Sequence, residues 1–163
     1  MNVSTRRWLL TVCMASGLLA LCGGIVQAQA PSAQLEELSA FPTTTLTVSG
    51  GGTHQFNIWV ADTESRDEQG LMFVRELPAD RGMLFMSAQP KVWNMWMKNT
   101  YVPLDMLFVA TDGHVVKIAH AIPHDETTIS SETAVKAVIE LQGGICEQLH
   151  IKVGDIAKWR LAQ

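Results

Sequence analysis

Residues 81–109 carry three apolar segments, with Arg81, Lys98, Asn99, Thr100 and Asp105 set between or inside them. Local folding does not require that mixture. A guanidinium, an ammonium, an amide, a hydroxyl and a carboxylate in one stretch can hold a polar ligand. If residues 92–98 are extended, Trp93, Met95 and Met97 share one face, and Val92, Asn94, Trp96 and Lys98 share the other. The first face reads as core. The second sets an indole between an amide and an ammonium, a grouping that grips a sugar ring or another polar ligand. The candidate ligand-binding set is therefore Arg81, Trp96, Lys98, Asn99, Thr100 and Asp105. Each has a plainer role to weigh against it. Trp96 can pack under a loop while Lys98 reaches to water. Asn99 and Thr100 can satisfy backbone groups of a turn. Asp105, near the start of an apolar strand, needs a partner, and Arg81 or Lys98 would make a structural ion pair with it.

Other residue types suggest other chemistries. Every methionine beyond Met14 falls between Met72 and Met106. Met95 and Met97 beside an indole could hold Cu(I), although methionine more often fills irregular core gaps. His120 and His124, followed by Asp125 and Glu126, could offer harder metal ligands, but their spacing lacks the helical geometry of a strong motif. A solvated loop explains them better. Cys146 and His150 share one face of a short predicted helix and could form a nucleophile pair, with no third group to orient them. No GxSxG, CxxC or phosphate-binding glycine loop occurs. No catalytic set and no cofactor is specified, and a non-catalytic role is favoured.

These residues need strands to position them. Residues 44–48 and 54–61, joined by Gly50, Gly51 and Gly52, read as a β-hairpin. Asp62 can cap a helix over residues 63–69 that Gly70 ends. Residues 82–86 and 91–97 read as strands joined across Gln89 and Pro90. Residues 104–110 and 114–121 pair across Asp112 and Gly113. Residues 123–131 read as polar loop, 135–141 as a strand, 145–149 as a helix and 156–161 as a last strand. No strand–helix–strand alternation of useful length appears. The expected fold is all-β with minor α: an antiparallel sandwich, jelly-roll-like, or a barrel, of about eight strands plus two short helices.

Residues 1–30 have the form of a bacterial signal peptide. Arg6 and Arg7 precede an apolar run over residues 8–26, and small residues Ala28 and Ala30 follow. Cleavage is expected after Ala28. The run is also about long enough for an uncleaved anchor. Residues 5–10, with the Arg6–Arg7 pair, fit twin-arginine export as well as general secretion. Leu21 is too bulky before Cys22 for lipidation. A linker is expected over residues 31–43 and a single β domain over 44–163. Without the leader only Cys146 remains, so no internal disulfide can form and the core must carry stability. The formal charge of −4 becomes two units more negative. That acidity argues against nucleic acid as a partner. Membrane contact is expected only through the leader before cleavage, with the mature chain periplasmic or secreted.

Several segments together carry a resemblance: Gly70-Leu71-Met72-Phe73, Arg81-Gly82-Met83-Leu84-Phe85, Trp96-Met97-Lys98-Asn99-Thr100, Pro103-Leu104-Asp105 and Gly154-Asp155. The chain resembles the domain of unknown function family 192, also called UPF0127, over residues 46–159. The resemblance implies a compact β-sandwich, jelly-roll-like, often behind a signal peptide. It implies no activity and no catalytic residues. The reading that results is an exported protein with a non-catalytic ligand-binding or accessory role in the cell envelope, its partner an unidentified small molecule or envelope component. The alternatives are a hydrolase or transferase on envelope sugars or peptides, and a periplasmic copper or other metal-binding protein.

Overall fold

β1 (Thr43–Ser49) and β2 (Thr53–Ala61) form the hairpin that the three glycines call for, in a computed structural model that describes residues 35–160. The expected leader lies outside the described residues. α1 (Glu64–Gln69) follows. Its cap is Thr63 rather than Asp62: the Thr63 hydroxyl accepts from the Arg66 N–H at 3.3 Å. Asp62 instead takes the Arg66 guanidinium at 2.6 Å. Gly70 ends α1 at φ 50°, a backbone region in which a side chain is strained. The chain continues through β3 (Gly82–Lys91), β4 (Asn94–Met95), β5 (Leu104–Val109), β6 (Val115–Ala121), β7 (Ile129–Ser130), β8 (Val135–Gln142), α2 (Ile145–Gln148) and β9 (Ile156–Trp159).

Seven strands make one sheet in the order β6-β5-β8-β3-β2-β1-β9, and β4 pairs with β7 in a separate small sheet. The protein is mostly β, with two short α-helices, as the sequence implies. One expectation is corrected. The sheet is mixed, because β2 and β3 run parallel through the pairs Trp59–Met83, Val60–Leu84 and Ala61–Phe85. A parallel pair needs a crossover, and residues 62–81 supply one, with α1 inside it. The helix is too short to announce that role by periodicity. β3 also runs unbroken through Pro90, with a register shift against β8 between Met86 and Lys91, where the sequence suggested two strands. The sheet curls until its edges touch at a His114–Ile156 bridge, without closing into a barrel.

Curling gives the sheet two cores. Leu46, Ile58, Leu84, Leu107, Ile139 and Leu141 point inward, where Ile145 and Cys146 of α2 cover them. Met83, Phe85, Leu104, Met106, Phe108 and Val138 point outward, under Leu71, Leu77, Trp93, Met97 and Val102 from the connecting segments. A fully buried side chain of this size contributes about 1.5–3 kcal/mol, so two such cores can stabilise the domain without a disulfide. The stretch expected as a linker is anchored from Glu36 onward. Glu36 holds Arg66 through both carboxylate oxygens, at 2.5 and 2.9 Å, and Phe41 is buried beneath the same guanidinium. That clamp fixes α1 against the outer face.

Candidate functional site

On the outer face, β8 places Glu140 in register between Met83 of β3 and Met106 of β5. Gly82 lets the two strands meet there: a Cβ at that position would lie 2.2 Å from the Glu140 carbonyl oxygen. Neither methionine offers a donor. Glu140 is 4% exposed, and its carboxyl has no hydrogen-bond partner among the described residues. Burial pushes its pKa up to about 8. An unpartnered buried acid is costly, and such groups gather at functional sites.

Above Glu140 lies a small cleft. Asp67 and Gln69 of α1, Gly70, Leu71 and Met72 of the following turn, and Phe85 of β3 form part of its wall. Met95, Trp96 and Thr100 complete it. The space is about 30 Å³, enough for a water, an ammonium or a bare ion and too small for a sugar ring. Asp67 faces it with Oδ1 buried and, among the described residues, without a partner. Burial raises the Asp67 carboxyl pKa, against the opposing charge of Lys91. Trp96 is 52% exposed at the mouth, with the Lys98 ammonium 5.5 Å from its ring centre.

The segment forming this wall is held from several sides. Ser131 accepts from the Trp93 N–H at 2.9 Å and donates its own N–H to the Trp93 carbonyl at 2.8 Å. Met97 N–H donates to Asp125 O, and His124 N–H donates to Thr100 O. Phe73, Asn99 and His124 all take positive φ, 64°, 56° and 62°. The Phe73 N–H donates to the Asn99 carbonyl at 2.8 Å. A bulky residue such as Phe73 adopts that conformation only where the surroundings impose it, so this rim is strained and over-determined.

The structure brings together only part of the candidate set. Trp96 and Thr100 line the cleft, and Lys98 and Asn99 adjoin it. The expected alternation holds in burial: Trp93 and Met97 are buried, Val92, Asn94, Trp96 and Lys98 exposed. Asp105 is elsewhere. Leu104, Met106 and Phe108 face the outer core while Leu107 and Val109 face the inner one, so Asp105 points inward, away from Trp96. Its partners are neither Arg81 nor Lys98. Oδ1 lies 2.7 Å from His120 Nδ1, and Oδ2 accepts the Cys146 N–H at 2.8 Å. Burial alone would raise the Asp105 carboxyl. The N–H groups of Cys146 and Gly144, together with His120, pull it below its ordinary value instead. Arg81 stacks 5.2 Å over the Trp59 ring and donates to Asn57 O.

The remaining candidates are also apart. His120 belongs to Asp105, whereas His124 stands against the Tyr101 ring at 5.0 Å. Among the described residues no group of three or more His, Cys, Asp or Glu side chains could hold a metal. Met97 is fully buried core, whereas Met95 and Met72 reach the cleft. Cys146 is buried and its thiol pKa is pushed up, first by burial and then by Asp105, while His150 is exposed. That is the opposite of an activated nucleophile. A wider trough of about 950 Å³ opens between β1, the Thr111–Gly113 turn and the end of β9. Its charged walls, Asp112, Lys136, Lys158 and Arg160, are at least partly solvated, so it carries less chemistry than the small cleft.

Glu140 and Asp67 did not emerge from the sequence. The signal for Glu140 was the one that singled out Asp105, a carboxylate inside an apolar strand.

With this geometry in view, the family model DUF192, described as Uncharacterized ACR, matches residues 45–159. The chain belongs to this family. It is 38% identical to a protein of unknown function from Novosphingobium aromaticivorans, whose crystal structure it matches with a TM-score of 0.73. That match covers 81% of this chain and 94% of the other. It is also 38% identical to a protein from Sinorhizobium meliloti described as a candidate transcription regulator. There the TM-score is 0.71, over 73% of this chain and 95% of the other. None of the curated proteins searched matches the chain. The family label names no activity, so a DUF192 protein must be read from its site.

Proposed function

We propose that this DUF192 protein is an exported, non-catalytic ligand-binding protein of the bacterial envelope, and that the cleft over Glu140 is its binding site. The observation that carries the reading is a buried carboxyl without a partner among the described residues, facing a cleft with an exposed indole at its mouth. Binding of a small group is favoured over hydrolysis of sugars, since the enclosed space of about 30 Å³ is too small for a sugar ring. The Cys146–His150 pair needed for a cysteine enzyme does not converge. Transcription regulation, the description attached to the Sinorhizobium meliloti relative, sits poorly with an acidic chain.

Export rests on the form of residues 1–30. N-terminal sequencing of the chain from the periplasm of an expressing bacterium is expected to begin at Gln29. A chain recovered only from the cytoplasm with Met1 intact would end the envelope assignment.

Ligand binding is tested by thermal melts against Cu(I), Zn(II), Ca(II), small amines, mono- and disaccharides and peptidoglycan fragments. A ligand at a hundred times its Kd adds about 2.7 kcal/mol, a shift of several degrees. Trp96→Ala, at an exposed position, is expected to leave the unliganded melt almost unchanged and to shrink the shift. A ligand shift indifferent to both Trp96→Ala and Glu140→Gln would place binding elsewhere.

A further inference from the structure

We propose that the cleft receives a primary alkylammonium group, with Glu140 as its counter-ion and Asp67 as a second acceptor. The inference rests on the cleft being the ligand site and names what enters it. Three acid side chains, Asp67, Glu68 and Glu140, line one small space. Among the described residues Asp67 Oδ1 is buried without a partner, and burial alone acts on Glu140. The complement of unpaired acceptors is a donor, and a cationic donor forms the stronger hydrogen bond.

The groups around Glu140 support that choice. β3 and β5 contribute Met83 and Met106, and β3 adds Phe85. α1 contributes the acids Asp67 and Glu68, and the 92–100 segment contributes Met95, Trp96 and Thr100. Lys91 acts on Asp67 from a distance and is seated 3.9 Å over the Trp93 ring. Among the described residues no basic side chain lines the cleft itself.

Size and wall chemistry narrow the cation. The enclosed space of about 30 Å³ favours a compact cationic head such as an ammonium. Leu71, Met72 and Met95 give an apolar path for methylene groups. Trp96 is exposed at the mouth and already has one ammonium, that of Lys98, over its ring. A hard divalent ion fits less well, because among the described residues no group of three or more His, Cys, Asp or Glu side chains is placed to hold a metal. The shared chemistry has two sources, a free small amine or a lysyl side chain of a peptide.

The test is a calorimetric titration of the purified chain with n-butylammonium chloride and with Nα-acetyl-lysine methylamide. Controls are n-butanol, tetramethylammonium and Ag(I). Both ammonium probes should bind, and n-butanol and tetramethylammonium should not. Stronger binding of the lysine derivative points to a peptide source, equal binding to a free amine. Affinity should rise from pH 6 to pH 8 with release of a proton, because Glu140 must ionise to pair. Glu140→Gln should weaken both probes at least tenfold, and Asp67→Asn gives an independent variant. Absence of ammonium binding, or unchanged affinity in both variants, overturns the proposal. If instead Ag(I) binds and Glu140→Gln removes that binding, the cleft stands as a site and only the ammonium is wrong.

Discussion

Replacing Glu140 by glutamine is expected to remove most of a fall in stability between pH 4.5 and pH 8. The unfolded chain ionises this carboxyl near its ordinary value of 4.5, whereas the folded chain holds the proton to about 8. Within that window the folded state binds more protons, so stability falls as pH rises. Each pH unit is worth about 1.4 kcal/mol, and the whole window costs on the order of 5 kcal/mol. That is a large part of the 5–15 kcal/mol typical of a domain. Glutamine preserves shape without a charge to bury. The variant should match the parent near pH 4.5 and exceed it by several kcal/mol above pH 8. Asp67, also raised by burial, leaves a smaller slope of the same sign in both proteins. Urea unfolding at pH 5 and pH 9 decides the matter. A parent no less stable at pH 9 than the variant would mean that Glu140 is ionised and partnered. Retaining so costly a group fits a trade of stability for binding.

How far the sequence reveals this site depends on which physical signal each residue leaves. Alternation over residues 92–98 marks Trp96 and Lys98 as outward because period-two burial is local. Asp105 and Glu140 leave the same local mark, a carboxylate within an apolar strand, yet they serve opposite faces of the sheet. The face is fixed by strand neighbours distant in sequence: His120 and the start of α2 for Asp105, Met83 and Met106 for Glu140. Asp67 is harder still. On a six-residue helix it looks like a solvated acid. Only the Glu36–Arg66 clamp and the crossover from β2 to β3 turn it toward the cleft. The hairpins at Gly50–Gly52 and Asp112–Gly113 were legible because turn chemistry is local. The parallel β2–β3 pair and the short β7 strand were not, because tertiary contacts decide both.

Asp105→Ala is expected to be among the most destabilising single substitutions in the domain, at about 3–5 kcal/mol. Asp105 is 0% exposed. Its loss strands the buried N–H of Cys146, which alone costs about 1–3 kcal/mol, and leaves a void beneath α2. For a domain of this size Tm should fall by on the order of 10 °C. Asp105→Asn keeps the shape and should cost less, because its amide oxygen can still accept from Cys146. His120→Ala should cost no more than about 1 kcal/mol, since that side chain is mostly solvated. The pH dependence runs opposite to that of Glu140. The folded carboxyl of Asp105 is held below its ordinary 3.8, so its contribution is full above that value and is lost as pH falls through the folded pKa. The gap between parent and Asp105→Asn should therefore be wide at pH 7 and narrow in strong acid. Because Asp105 lies across the sheet from Trp96, ligand affinity in Asp105→Asn should match the parent wherever the variant is folded. A variant that kept its stability at pH 7 but lost ligand binding would move Asp105 back into the site and break the division of labour between the two faces.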